Sequence, residues 1–544
     1  MGTPSGKQDR NDMLTPAART ARRLLTVAAL LAVFAVCAPP SKAGDNTTVI
    51  GLREAVARGI RRNLDLSMTR LEIPIREQDV TSGEAAFDPA LEASLSAGDR
   101  KLLTGVILYD NEVQHNREIG AGVGVLKRFT TGLRSRLAFE TQGAEDNFLA
   151  DTLDPKYRNI IVFELTQPLL RDFGADVNTA SIRAAKNRVD QAVAGYMGRA
   201  QALGGEIEET CLDLAGASAV LALRIQAREL AATLLAGNQR RLAQGMISVT
   251  EVDEARAAEV DRDEAVIQAR QRVETLSNGL KDLMAVDPAD PLYGNEIRTP
   301  ALPTGREVRP EHPAALRVAL ARRPDLKEAM LARDGQEILA EYYRNQKKPR
   351  VDLVASAGAN GLSGGDRPVA IFGDPRTSTL TGDYGDAYGS MLEDGGYQLS
   401  AALRFHYPVG NRDASAQYRK SRLEQRKIEL LIDRTKHRID TEIQNALVAV
   451  DRGLERVRAG ERFARLSEKT LEQETARLGS GLSDTFRVLD YQEKAVAARI
   501  RHTTALADYQ KGLARLYLAM GINLERLGIL ASVDEGALGV SGTQ

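Results

Sequence analysis

Two periodicities alternate along the chain. From Ile182, apolar side chains recur every seventh position, at 182, 189, 196 and 203, and a second series runs through 193, 200, 207, 214 and 221. In the second half Ile432, Ile439, Ile443, Leu447, Val450, Leu454 and Val457 step by threes, fours and one seven. This is coiled-coil spacing. The first such run, from about Ala175 to Gly237, would measure roughly 93 Å at 1.5 Å per residue. No ordinary globular domain needs a helix of that length. The other period is two. Tyr397, Leu399, Ala401, Leu403, Phe405 and Tyr407 share one face, with Gln398, Ser400, Arg404 and His406 on the other. Val351, Leu353, Ala355 and Ala357 oppose Asp352, Ser356 and Gly358; Leu91, Ala93 and Leu95 oppose Glu92, Ser94 and Ser96; Ile161, Phe163 and Leu165 oppose Glu164 and Thr166. These read as strands with one apolar face. Their length suits tilted strands of a membrane barrel, and a soluble sandwich alternates in the same way.

The landmarks occur twice. Ala55–Leu66 lies over Ala315–Leu326, Pro89 over Pro349 and Leu91 over Val351. Gln167-Pro168-Leu169 answers to Tyr407-Pro408-Val409, and Arg241-Leu242-x-x-Gly245-Met246 to Arg477-Leu478-x-x-Gly481-Leu482. Three landmarks in one order indicate an internal duplication. The first repeat is expected at 44–300, with an opening helix over about 51–85, strands over about 90–166 and long helices over about 175–284. The second is expected at 301–526, with a helix over about 311–346, strands over about 350–407 and long helices over about 411–520. A tail follows at 527–544. Between its two prolines the first repeat is longer, 79 residues against 59. The surplus holds a candidate hairpin at about 119–139. The Gly/Asp/Ser-rich stretch 358–396 is expected as a long external loop.

Arg19, Arg22 and Arg23 precede an apolar run, Leu24–Ala38, and then Pro39, Pro40 and Ser41-Lys42-Ala43. This reads as a signal peptide, residues 1–43, with cleavage before Gly44. Met13 is an alternative start, and an uncleaved membrane anchor is the competing reading. Export follows from the leader. No later stretch reads as a membrane-spanning helix, so a membrane crossing would have to be a barrel.

Composition removes several classes. Lys and Arg number 73 against 74 Asp and Glu, so no basic nucleic-acid footprint exists. Two cysteines, Cys37 and Cys211, build neither a disulfide framework nor a Cys-based zinc site. His115, His312, His406, His437 and His502 show no metal spacing. No Walker motif is present, so energy would have to come from another subunit, and no cofactor is expected. Gly361-Leu362-Ser363-Gly364-Gly365 fits G-x-S-x-G formally, but a nucleophile elbow needs a strand, a sharp turn and a helix. Gly120, Gly122 and Gly124 read as one face of a strand rather than as a dinucleotide loop.

Two tandem units of helix, strands, long helix, tip and long helix behind a leader resemble the TolC-like outer-membrane efflux family. The most similar stretches are Ala55–Leu66 with Phe87-Asp88-Pro89, Thr166–Leu170, Leu242–Val252, Ala321–Leu326 and Leu478–Asp490. The resemblance implies an α+β membrane protein. It would be a homotrimer whose outer-membrane β-barrel continues into a long periplasmic α-helical coiled-coil barrel, with four strands from each protomer. The extra hairpin departs from that count. The implied function is the exit duct of a tripartite efflux pump or type I secretion system, not an enzyme. The implied partners are a periplasmic adaptor and, through it, an inner-membrane pump or ABC transporter. The adaptor would meet tips at Leu242, Gly245 and Met246 and at Leu478, Gly481 and Leu482; as a competing reading the two glycines are C-caps only. A pore constriction would fall at Asp490, with Arg487 where relatives carry a second acid and Glu251 as a tip acid whose basic partner is replaced by Ser483. The bland alternative pairs Asp490 with Arg487 along the helix. A barrel-anchored coiled-coil structural or adhesive surface protein is the alternative function, and an exported hydrolase a third.

Overall fold

A computed structural model describes residues 47–109, 112–303, 310–371, 373–393 and 395–529. The expected leader, 1–43, and the tail beyond 529 lie outside the described residues. The first half runs β1 (Thr47–Val49), α1 (Leu52–Arg62), α2 (Leu64–Glu84), β2 (Ala90–Leu103), β3 (Val113–Arg128), β4 (Arg134–Asp146), β5 (Leu153–Pro168), α3 (Ala180–Ala243), α4 (Val249–Leu283) and β6 (Glu296–Arg298). The second runs α5 (His312–Arg322), α6 (Pro324–Gln346), β7 (Arg350–Asp366), β8 (Val369–Ile371), β9 (Asp374–Arg376), α7 (Asp386–Glu393), β10 (Gly396–His406), α8 (Arg412–Gly479) and α9 (Thr485–Ala519). The series of helix pair, strands and helical hairpin occurs twice.

Each half opens with two helices where the periodicity suggested one. The breaks use different chemistry. Asn63 leaves the helical region at ψ 128°, and its side chain accepts from the Leu66 amide at 3.0 Å, capping α2. Arg323 leaves it at ψ 119° because Pro324 follows, and a proline disfavours helical backbone in the residue before it.

The long helices carry the core. Leu203, Ile207 and Leu214 of α3 pack with Val56, Leu66 and Leu280. Ile439 and Ile443 of α8 pack with Ala315, Leu326 and Leu516. These are seam positions of the heptad pattern. Helix α3 is long and apolar enough, by length and composition alone, to cross a membrane. Cys211 lies in the same seam, and burial, then the nearby Glu208 charge, pushes its thiol up to about 12.

Both helical hairpins turn alike. Gly245 and Gly481 each sit at φ 73°, and the following amide bonds back five residues, Met246 to the Arg241 carbonyl and Leu482 to the Arg477 carbonyl, at 2.9 Å each. That is the Schellman pattern, in which a left-handed residue closes a helix. The ends of α4 and α9 repeat it with Ala285 and Gly521.

One six-stranded sheet, in the order β10-β7-β5-β4-β3-β2, joins the two halves, and all neighbours are antiparallel. The candidate hairpin at 119–139 is β3 and β4, so the protomer brings six strands, not the four that the resemblance implied. One face is apolar and exposed, with Leu95 at 89% and Tyr397 at 82%. The other is polar: Arg136 lies within 3.9 Å of Glu92, 3.3 Å of Glu140 and 3.9 Å of Glu164.

The expected loop at 358–396 is largely ordered structure. β7 continues to Asp366, β8 and β9 form a small hairpin, and α7 lies against the sheet. Tyr388 stacks on Phe139 at 5.7 Å, Tyr384 meets Tyr157 edge-on at 5.6 Å, and Ala387 is fully buried. The glycines that suggested a loop make room for this packing. A Cβ on Gly361 would lie 2.0 Å from the Ala387 carbonyl oxygen.

Candidate functional site

The tip of the helical region is built from four chain segments. The turns of residues 244–248 and 480–484 stand at the ends of the hairpins α3/α4 and α8/α9. Glycine is favoured in both by the positive φ, and no atom lies within 4 Å of where a Cβ would stand on either. Of the six tip residues read from the sequence, Met246 and Leu482 are exposed with their glycines. Leu478 is buried, and Leu242 packs against Leu235, Val252 and Ala255. These two leucines close the turns from within. Val249 and Phe486, absent from the sequence reading, add exposed apolar surface beside Met246 and Leu482. Their signal was an apolar residue at the first or second position of a helix directly after a turn.

The three constriction candidates have separate partners. Glu251 Oε2 accepts from the Thr485 hydroxyl at 3.2 Å. Ser483, which replaces the basic partner that the resemblance implies for Glu251, donates to Glu474, which is buried. Arg487 pairs with Asp484 at 3.6 Å, and the Asp484 carboxylate accepts the Arg487 amide at 2.8 Å as the cap of α9. Asp490 pairs with Lys494 at 2.6 Å rather than with Arg487. Asn238 and Thr485 were missed. Asn238 was legible as a polar residue in the apolar series 231, 235, 238, 242.

The hydrolase motif falls on a strand. Ser363 is buried within β7, and its hydroxyl donates to the Asp383 carbonyl at 2.6 Å. No strand-turn-helix elbow presents it. Among the described residues no group of three His, Cys, Asp or Glu side chains could hold a metal ion.

Residues 315–522 match the model of the family described as outer membrane efflux protein. In sequence, the second half is similar to that family. The first half, outside that match, builds the same series of elements. No curated protein matches the sequence. Among solved structures, the chain is similar to CusC, whose study concerns transmembrane channel formation, with 14% identity, coverage of 89% of this chain and 95% of that one, and a TM-score of 0.62. It is also similar to the Campylobacter jejuni CmeC outer membrane channel, with 15% identity, 87% and 86% coverage, and a TM-score of 0.58. The Vibrio cholerae outer membrane protein VceC gives 15% identity, 86% and 96% coverage, and a TM-score of 0.60. The likeness in fold therefore spans both halves, where the efflux-protein match in sequence covers one. That family is one of efflux proteins, not of enzymes.

Proposed function

We propose that the protein is the outer-membrane exit duct of a tripartite efflux pump, conducting cargo passively from the periplasm to the outside. One observation carries this reading: a sheet with an apolar outer face runs into helices of 64 and 68 residues, with linkers of eleven and five residues between (169–179 and 407–411). At 1.5 Å per residue such helices reach about 100 Å, a depth that suits the periplasm. The open sheet edges require neighbours in lipid, and a homotrimer supplies them. The tips at Gly245 and Gly481 receive a periplasmic adaptor, which links the duct to an inner-membrane pump or ABC transporter. The repeats act as two pseudo-equivalent wall segments, residues 44–300 and 301–526. Among the described residues little mass lies beyond the strands apart from the short insertion between β7 and β10, which disfavours the adhesive alternative.

The test is reconstitution together with deletion. Detergent-extracted protein is expected as a trimer by native mass, forming conducting pores in planar bilayers. A deletion strain is expected to accumulate cargo. A monomer that forms no pores would overturn the reading.

A further inference from the structure

The six-stranded sheet has two free edges. β2 and β10 each have one neighbour, and every residue of β10 is exposed. We propose that β10 of one protomer pairs with β2 of the next in one register, Arg404 opposite Glu92 and Ser400 opposite Ser96, closing an eighteen-stranded barrel in the trimer. The proposal rests on the trimeric reading above.

Strand direction allows it. Six antiparallel strands leave β2 and β10 running in opposite senses, so β10 meets the next β2 antiparallel. An odd number would not close this way.

The stagger of the sheet sets the register. Ala90, the first residue of β2, shares one hydrogen-bonding row with Leu126, Arg136, Glu164, Ser356 and Ser400. Ala90 stands at the helical end of its strand, whereas Ser400 stands six residues from His406, the helical end of β10. The row therefore climbs away from the helices as it crosses the protomer. Continued by one step, it reaches Ser96 of the next copy, six residues from Ala90. Six residues are about 20 Å along a strand, and six strand spacings about 29 Å across. The ratio gives a tilt of about 35°, within the range for membrane barrels.

Charge and faces agree with that register. Leu91 then faces Phe405, Ala93 faces Leu403, Leu95 faces Ala401 and Ala97 faces Leu399, all on the apolar side. On the polar side Glu92 meets Arg404. Within its own protomer Arg404 makes no ion pair among the described residues; its neighbour Asp352 is held by Arg350 at 2.7 Å. A slip of one residue would turn every side chain to the wrong face. A slip of two would part the charges.

The circumference agrees as well. Eighteen strands at about 4.8 Å spacing and that tilt make a ring of roughly 105 Å. Four helices from each of three copies, about 8–10 Å apart, make roughly 96–120 Å. The extra hairpin β3/β4 thus matches the barrel to the helical tunnel, so the duct keeps its width where a twelve-stranded barrel at the same tilt would narrow to about 70 Å around.

Ser96→Cys with Ser400→Cys tests the seam. Oxidised in membranes, this variant is expected to give covalent dimers and trimers on denaturing gels. Ser94→Cys with Gln398→Cys, four residues out of register, is expected to give none. Equal cross-linking by both pairs would overturn the register. No cross-linking by the first pair, in a protein trimeric by native mass, would overturn the seam itself. A wild-type protein that is not trimeric would instead overturn the reading on which the proposal rests. Electron cryomicroscopy of the wild-type trimer counts the strands directly, eighteen being expected and twelve contradicting.

Discussion

Asn238 Nδ2 donates to Thr485 Oγ1 at 3.0 Å inside the helical tip, and both residues are 1% exposed. Asn238 belongs to α3 and Thr485 opens α9, so the contact ties one half of the chain to the other. Glu251 completes a ring: its carboxylate accepts from the Thr485 hydroxyl, and its carbonyl accepts from Asn238 at 3.3 Å. A buried polar group that loses its partner costs about 1–3 kcal/mol. Thr485→Val keeps the shape and removes the hydroxyl. Its expected effects are a lower Tm of the detergent-extracted trimer and a higher pore conductance in planar bilayers, as the tip loosens. Unchanged conductance with a lowered Tm would make the ring a structural tie with no part in gating.

The helices were legible because their buried seam repeats over many turns: Ile439, Ile443 and Val450 sit in the core as their spacing implies. Breaks within that pattern were harder to see, because Asn63 and Pro324 achieve the same interruption with different residues. The strand pattern was legible wherever one face is apolar. It failed beyond Gly358, where β7 turns small residues toward α7 and alternation disappears. The tip turns were legible from their glycines. The ring of Asn238, Thr485 and Glu251 was not, since its members are 247 and 234 residues apart, and only the fold brings them together.

The tip glycines carry the second prediction. Both occupy left-handed backbone with open space around them, so a substituent meets solvent or a partner, not the protomer. Gly245→Asp or Gly481→Asp is expected to abolish export while trimer and pore remain. Gly245→Asn and Gly481→Asn control for backbone strain, because asparagine tolerates the left-handed region. Normal export by the double Asp variant would dispose of adaptor contact at these turns.

Acid sensitivity is expected at the break between α5 and α6. Burial alone would raise the Asp325 carboxyl, but two hydrogen bonds from Arg323, at 2.9 and 2.8 Å, and the Arg438 guanidinium at 2.7 Å hold it below the usual carboxylate range. A depressed folded value gives stability that is full above the ordinary carboxylate pKa, about 4. That stability is lost as pH falls toward the depressed value. Asp325→Asn is expected to lower Tm at pH 7 and to flatten its fall below about pH 4. Glu328 runs the other way: burial, then the Asp325 charge, raises it. Glu328→Gln is expected to raise Tm at pH 7. Thermal melts across pH separate the two signs, and equal shifts in both variants would remove the electrostatic account.

Asp490 supplies the decisive test of a charged constriction. It stands nine residues past Gly481, near the tip, where three-fold symmetry would bring three copies toward the axis. Converging carboxylates select cations. Lys494 lies one turn further along α9 at 2.6 Å, and the hydrogen bond to Asp490 raises its pKa, so it remains charged and offsets part of that field. Arg487 is turned to Asp484 instead, which leaves Lys494 as the counter-charge to consider. Two variants therefore have opposite expected signs. Asp490→Ala reduces cation preference and weakens block by divalent cations from the periplasmic side. Lys494→Gln frees the carboxylate and strengthens both. An exposed pair along one helix, screened by solvent, would leave selectivity unmoved in either variant. Reversal potentials of reconstituted pores under a salt gradient read the difference directly, and shifts of the same sign, or none, would make Asp490 a surface charge.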